Sequence, residues 1–133
     1  NSASDGGLED VKVDKTNEVL FKTNVLLLAG AESWEAGKMV ECSRESFNDL
    51  GSVISYLQDN PLQITEAEPY TVTLIDGTEL ATGFVADIST AQLNVGERLK
   101  YLVFGTDGSN KLIDAINACT TIEQVNAITD TRV

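Results

Sequence analysis

The chain contains no histidine. That removes the usual general base near neutral pH, the imidazole metal ligand and the serine–histidine dyad, and leaves carboxylate or lysine chemistry. The carboxylate pairs close in sequence are Glu32 with Glu35, Glu66 with Glu68 and Asp76 with Glu79. Two carboxyls flanking a bond could run glycoside hydrolysis, but one of them needs an apolar enclosure to raise its pKa. Each pair falls in a loop or turn without such an enclosure, so the pairs read as solvated charge. The stretch from Gly30 to Met39 (GAESWEAGKM) has a superficial likeness to a phosphate loop. Its glycines are separated by six residues rather than four, Met39 replaces the hydroxyl that holds magnesium, and two glutamates would repel phosphate. Asp107, Ser109, Asn110 and Asp114 lack the order of an EF-hand loop and fit a helix N-terminus better. Cys42 and Cys119 are 77 positions apart, a spacing unlike zinc or redox motifs. Two buried free thiols are the simpler reading, with a disulfide as the alternative. Trp34, the one tryptophan, is a loop anchor, a subunit contact or a ligand-stacking residue. Neither a catalytic signature nor a cofactor or metal site emerges.

Acids outnumber bases 21 to 9 in 133 residues, for a formal net charge of −12. Phosphate contacts require clustered cations, so direct nucleic-acid binding is disfavoured. A 42% hydrophobic share in a chain of this length supports a real core and excludes a fully disordered polymer. No apolar run approaches the roughly 18–20 residues that span a bilayer. No basic n-region followed by an apolar h-region is visible, and the start at Asn1 leaves open a removed leader or a tag scar. Between Arg44 and Arg98 there is no cation, while nine acids fall in that interval. The interval is either a well-solvated surface or a functional acidic face comprising Asp59, Glu66, Glu68, Asp76 and Glu79.

The elements that carry these residues follow from periodicity and turn chemistry. Residues 1–10 read as a flexible arm and residues 11–133 as one α+β domain. VKVDKTNEVLF alternates on either side of Lys15-Thr16-Asn17, which predicts two short strands. VLLLAG is a buried strand or an interior helix. Ser33–Glu41 is a loop entering a short strand. Ser43 caps a helix over Arg44–Gln58, whose stripe is Phe47, Leu50, Ile54 and Leu57, and Asn60-Pro61 ends it. YTVTLI-DG-TELATGFVADI predicts a hairpin with a type I′ turn at Asp76-Gly77, resuming through Leu80, Phe84 and Ile88, with a bulge or close approach at Gly83. Ser89–Gln92 caps a short helical turn, and RLKYLVF is a strand with a helical alternative. Lys111–Ala118 is a helix, and Thr120 with Glu123 forms a capping box opening another, with Ile122, Val125 and Ile128 on its buried side. DTRV reads as a tail. The expected architecture is a small antiparallel sheet with the DG hairpin, covered by two or three helices. Its core includes Val25, Leu27, Phe47, Leu50, Ile54, Leu57, Val72, Leu74, Phe84, Leu102, Ile116, Val125 and Ile128.

The segment LIDAINACTTIEQVNAITD resembles a two-helix element found near the ends of tailed-bacteriophage virion proteins. Thr120, Thr121, Ile122, Glu123, Val125, Ala127 and Ile128 carry the likeness, over about a seventh of the chain. The resemblance implies a non-enzymatic structural role in a virion, such as capsid decoration, cement or head fibre. No site residues carry over from it.

Together these readings point to a structural or binding protein acting on a protein partner, a multi-subunit assembly such as a capsid, without direct nucleic-acid or membrane contact. The arm, with Lys12, Lys15 and Lys22 beyond it, and an apolar face would provide attachment, with Trp34 a further contact. Homo- or hetero-oligomerisation follows from that role. The expected location is the virion, or otherwise the cytoplasm. The alternative is an acidic inhibitor or DNA mimic that binds a basic partner. A third reading is a carboxylate enzyme or lectin-like module.

Overall fold

From Leu8 to Leu28 the sequence contains neither glycine nor proline, and Glu9 and Asp10 place negative charge where a helix N-terminus favours it. In the computed structural model, which describes residues 7–60 and 63–133, this stretch is one 21-residue helix, α1 (Leu8–Leu28). The two strands expected from VKVDKTNEVLF are therefore replaced by helix. The arm expected over residues 1–10 gives way to helix at Leu8; residues 1–6 lie outside the described residues. The inward stripe of α1 includes Val19 and Thr23, one turn apart, with Leu8 and Val11 packed on the same core. Lysines and a threonine interrupt the apolar pattern on that side, and a two-residue alternation shows through.

The remaining elements, in order, are β1 (Ala31–Glu32), β2 (Met39–Val40), α2 (Arg44–Asp59), β3 (Tyr70–Thr73), β4 (Glu79–Thr82), α3 (Val85–Leu99), a π-helical turn (Lys100–Phe104), α4 (Ser109–Ala118) and α5 (Ile122–Ala127). The fold class is α+β, with two separate two-stranded antiparallel hairpins in place of one sheet. Two compact units are formed. The central unit is Leu27–Leu99, and the terminal unit joins the residues up to Leu26 with Lys100–Val133. No linker marks this division in the sequence, because both chain crossings fall within helical segments.

In the central unit, α2 buries Leu50, Ile54 and Leu57, and α3 buries Ile88, Ala91, Val95 and Leu99 in the same core. Ser43 Oγ accepts from Ser46 N at 3.0 Å, as an N-cap should, and Asn60 is the C-cap; Pro61 lies outside the described residues. The backbone of Ile75 donates to Met39 O at 3.0 Å and ties the two hairpins together. β3 pairs with β4 in the register Tyr70↔Thr82 to Thr73↔Glu79. The connection is not type I′. Only Gly77 has positive φ, at 87°, and Asp76 stays in ordinary space. Gly77 N donates to Leu74 O and Leu74 N to Thr78 O, giving a three-residue loop with its left-handed position at Gly77.

The strand expected through Phe84 and Ile88 ends at Thr82, and α3 takes over. Thr82 Oγ1 accepts from Phe84 N at 3.1 Å and donates to Asp87 Oδ2 at 2.6 Å, so a local hydroxyl clasp turns the chain into the helix. Ser89–Gln92 then lies inside α3 rather than capping a turn of its own. Gly83 is a close approach, as anticipated: a Cβ there would sit 2.6 Å from Glu66 N and 2.7 Å from the Thr65 carbonyl carbon. Phe84 is exposed and does not enter the core, and Val25 is likewise exposed on α1.

In the terminal unit, Val19, Ile116 and Val125 form a buried centre, with Leu8, Val11, Leu112, Ile113, Cys119 and Ile128 around it. RLKYLVF takes its helical alternative, ending α3 and forming the π turn, which Gly105 N closes on Lys100 O at 2.6 Å. The cap of α5 is shifted one residue from the expected box. Thr121 Oγ1 accepts from Gln124 N, while Gln124 Oε1 accepts from Thr120 N and Oγ1.

DTRV is not a loose tail. Arg132 is 1% exposed and sits between α1 and the π turn. Its guanidinium donates to Leu102 O, to Val19 O at 3.1 Å, and to both Asp130 oxygens, from Nε at 2.8 Å and Nη2 at 2.6 Å. Leu102 belongs to the last helical turn, whose carbonyls have no partner within the helix, so the cation both caps and neutralises that end.

Candidate interaction surfaces

The lysines expected to attach the protein are directed inward. Lys12 Nζ donates to Asn117 O at 3.0 Å, where α4 ends, and Lys22 Nζ donates to Asp130 O at 2.8 Å. Lys22 also lies 3.7 Å from Asp130 Oδ1, and Lys15 is 4.0 Å from Glu18. Lys12 and Lys22 are thus cross-links within the terminal unit, and Lys12 meets a helix C-terminus where positive charge is favoured. The Arg132 guanidinium beside Asp130 holds that carboxyl below its ordinary pKa, more strongly than burial raises it. Lys15, Glu18, Lys22 and Asp130 border a small cleft together with Asn126 and Thr129, in which both signs of charge are present.

Elsewhere on α1, apolar side chains are exposed. Leu20 is 48% exposed, Phe21 72% and Val25 49%, and Val13, nearer the N-terminus, is exposed as well. Glu9, Asp14 and Glu18 are exposed on the N-terminal part of the same helix. A helix apolar on more than one side is normally covered on more than one side. Leu20 and Phe21 carried no signal in the sequence reading, because a strand assignment sends alternate residues to opposite faces. Reading 8–28 as a helix would have shown them outside the buried stripe.

Trp34 is half-buried and packs against the core of the central unit from the β1–β2 loop, the anchor role among its expected alternatives. Gly30–Met39, the near miss for a phosphate loop, is this same hairpin. Asn94 Nδ2 donates to the carbonyls of Glu32 and Ser33 and fixes it to α3. Asp59, Glu66, Glu68, Asp76 and Glu79 are all exposed. Asp76 accepts from Thr78 N at 2.9 Å and Thr78 Oγ1 at 2.6 Å; these bonds hold its pKa below the ordinary value. All five acids belong to the central unit, whose sequence holds 12 acids and 3 bases, while the terminal unit holds 9 and 6. The charge asymmetry read along the chain is therefore an asymmetry between compact units, −9 against −3.

Among the described residues no group of three or more cysteines and carboxylates converges as a metal site. Cys42 and Cys119 are free thiols; Cys42 is buried and Cys119 half-buried. Burial pushes the Cys42 thiol up, partly offset by the nearby Arg98 charge. An open groove between α2 and α3 is lined by Asn48, Ser52, Ser55 and Gln92, which offer hydrogen bonds but no charge. Among the described residues no helix is long and apolar enough to cross a membrane. No family model matches the chain, and neither a characterised protein nor a solved structure matches it.

Proposed function

We propose that the protein is a non-enzymatic structural and binding component, attached to a larger protein assembly through the outer face of α1. The observation that carries this reading is the simultaneous exposure of Leu20, Phe21 and Val25 on one helix whose other side is already buried. In its most concrete form the protein is a virion accessory component of the capsid-decoration or cement type. The likeness of residues 112–130 to phage virion proteins supports that form, whose location would be the virion. Attachment would be stoichiometric and would use an apolar face rather than the inward lysines. The test is quantitative mass spectrometry of purified particles from the source of the chain. A fixed copy number per particle is expected, and Phe21→Ser should abolish it. A chain that stays monomeric and is missing from particles refutes the reading.

The charge of the central unit favours a second reading, an acidic inhibitor or DNA mimic. Its support is the exposure of Asp59, Glu66, Glu68, Asp76 and Glu79 in a unit carrying three bases. This reading requires binding to a basic protein that weakens with salt. Substituting Asp59→Asn, Glu66→Gln, Glu68→Gln and Asp76→Asn together should abolish such binding; survival of binding excludes mimicry.

A further inference from the structure

The outer face of α1 has a polarity along its length that specifies what can cover it. Asp14, Glu18, Phe21 and Val25, spaced by four, three and four residues, form one exposed stripe that is acidic toward the helix N-terminus and apolar toward its C-terminus, with Leu20 exposed to one side of it. At a rise of 1.5 Å per residue the centres of the acidic and apolar parts are about 10 Å apart. Lys12 and Lys22 are bonded to carbonyls elsewhere, and Lys15 lies 4.0 Å from Glu18, an exposed pair that offsets that carboxylate only weakly.

We propose that this face receives a protein segment of mixed basic and apolar composition. Aliphatic or aromatic side chains would lie over Leu20, Phe21 and Val25, and lysine or arginine over Asp14 and Glu18. The inference rests on the binding role argued above and adds the chemistry of the partner. Charge complementarity selects this occupant over a second copy of the chain. Parallel pairing of two α1 faces would set carboxylates against carboxylates. Antiparallel pairing would desolvate them against Leu20 and Phe21 without a counter-charge. A net charge of −12 opposes self-association further. An anionic lipid surface would meet the same carboxylates and be repelled.

The probe is a yeast-displayed library of random 16-residue peptides, selected against the full chain at low salt. Selected sequences should be enriched in both basic and large apolar residues, in separate halves. Phe21→Ser should weaken the best peptide by about tenfold or more, as loss of a central aromatic anchor does. Phe21 is 72% exposed, so its replacement leaves the core intact, which circular dichroism verifies. Asp14→Asn with Glu18→Gln should weaken binding several-fold and flatten its salt dependence. The proposal is overturned if no peptide is enriched, if the enriched peptides lack cations, or if affinity ignores Phe21→Ser. It is equally overturned if Phe21→Ser abolishes dimers of the chain itself, or if anionic vesicles bind where peptides do not. Loss of particle attachment in Phe21→Ser without peptide selection would leave the structural role standing and remove only this partner chemistry. Attachment that survives Phe21→Ser would remove the role itself.

Discussion

Replacing Arg132 with methionine tests whether residues 130–132 hold the terminal unit together. Methionine retains much of the apolar stem but removes five donors. Leu102 O then loses its cap, Val19 O keeps only what the helix and the Thr23 hydroxyl supply, and Asp130 keeps Lys22 at 3.7 Å. Breaking a buried ion pair by removing one partner costs about 3–5 kcal/mol. The surviving partners of Val19 O and Asp130 argue for the lower end, about 3 kcal/mol, or a drop in Tm of roughly 10 °C. Arg132→Lys keeps the charge but cannot span Leu102 O, Val19 O and Asp130 at once, so it should recover only part of the loss. Urea denaturation followed by far-UV circular dichroism gives the free energy, and amide exchange in α5 locates it. A loss below about 1 kcal/mol, or a lysine variant equal to the parent, would mean that Arg132 is an ordinary exposed ion pair.

Gly83→Ala places a methyl against the Glu66 amide and the Thr65 carbonyl carbon, both backbone, and should cost about 1–3 kcal/mol by thermal melting. Acid should weaken the fold through Asp130. Its pKa is lowered in the native state, so its contribution is complete above the ordinary aspartate pKa of about 3.9 and is lost as pH falls through the native value. Asp130→Asn should flatten that part of the acid unfolding curve. Under native conditions Cys42, buried and with its pKa raised, should be alkylated far more slowly than the half-buried Cys119, as peptide mass spectrometry would read; equal rates would contradict the burial of Cys42.

Features governed by neighbours in sequence were legible without the structure. Ser43 and Asn60 bound α2 because capping is satisfied within one turn, and Leu50, Ile54 and Leu57 repeat with helical spacing. The DG hairpin depends likewise on local backbone freedom at Gly77, whereas Gly83 is marked in the sequence by its glycine alone and its partners, Thr65 and Glu66, come only with the fold. The absence of histidine and the cation-free interval limit chemistry and electrostatics in any fold. Features whose partners are distant in sequence were not legible. The buried side of α1 includes Thr23 and is flanked by Lys12 and Lys22, whose polar groups find carbonyls more than 100 residues away except in the case of Thr23, so the helical stripe looked like strand alternation. Arg132 reads as part of a tail because nothing near it in sequence reveals that the carbonyls of Val19 and Leu102 converge on it. The division into two units was hidden for the same reason, since the chain crosses it within helices. Composition and short-range spacing therefore determined the charge, the caps and the turns of this protein. Only the tertiary structure decided which lysines are consumed internally and which face of α1 is left open, because the carbonyls that accept from Lys12 and Lys22 are brought to them by long-range packing.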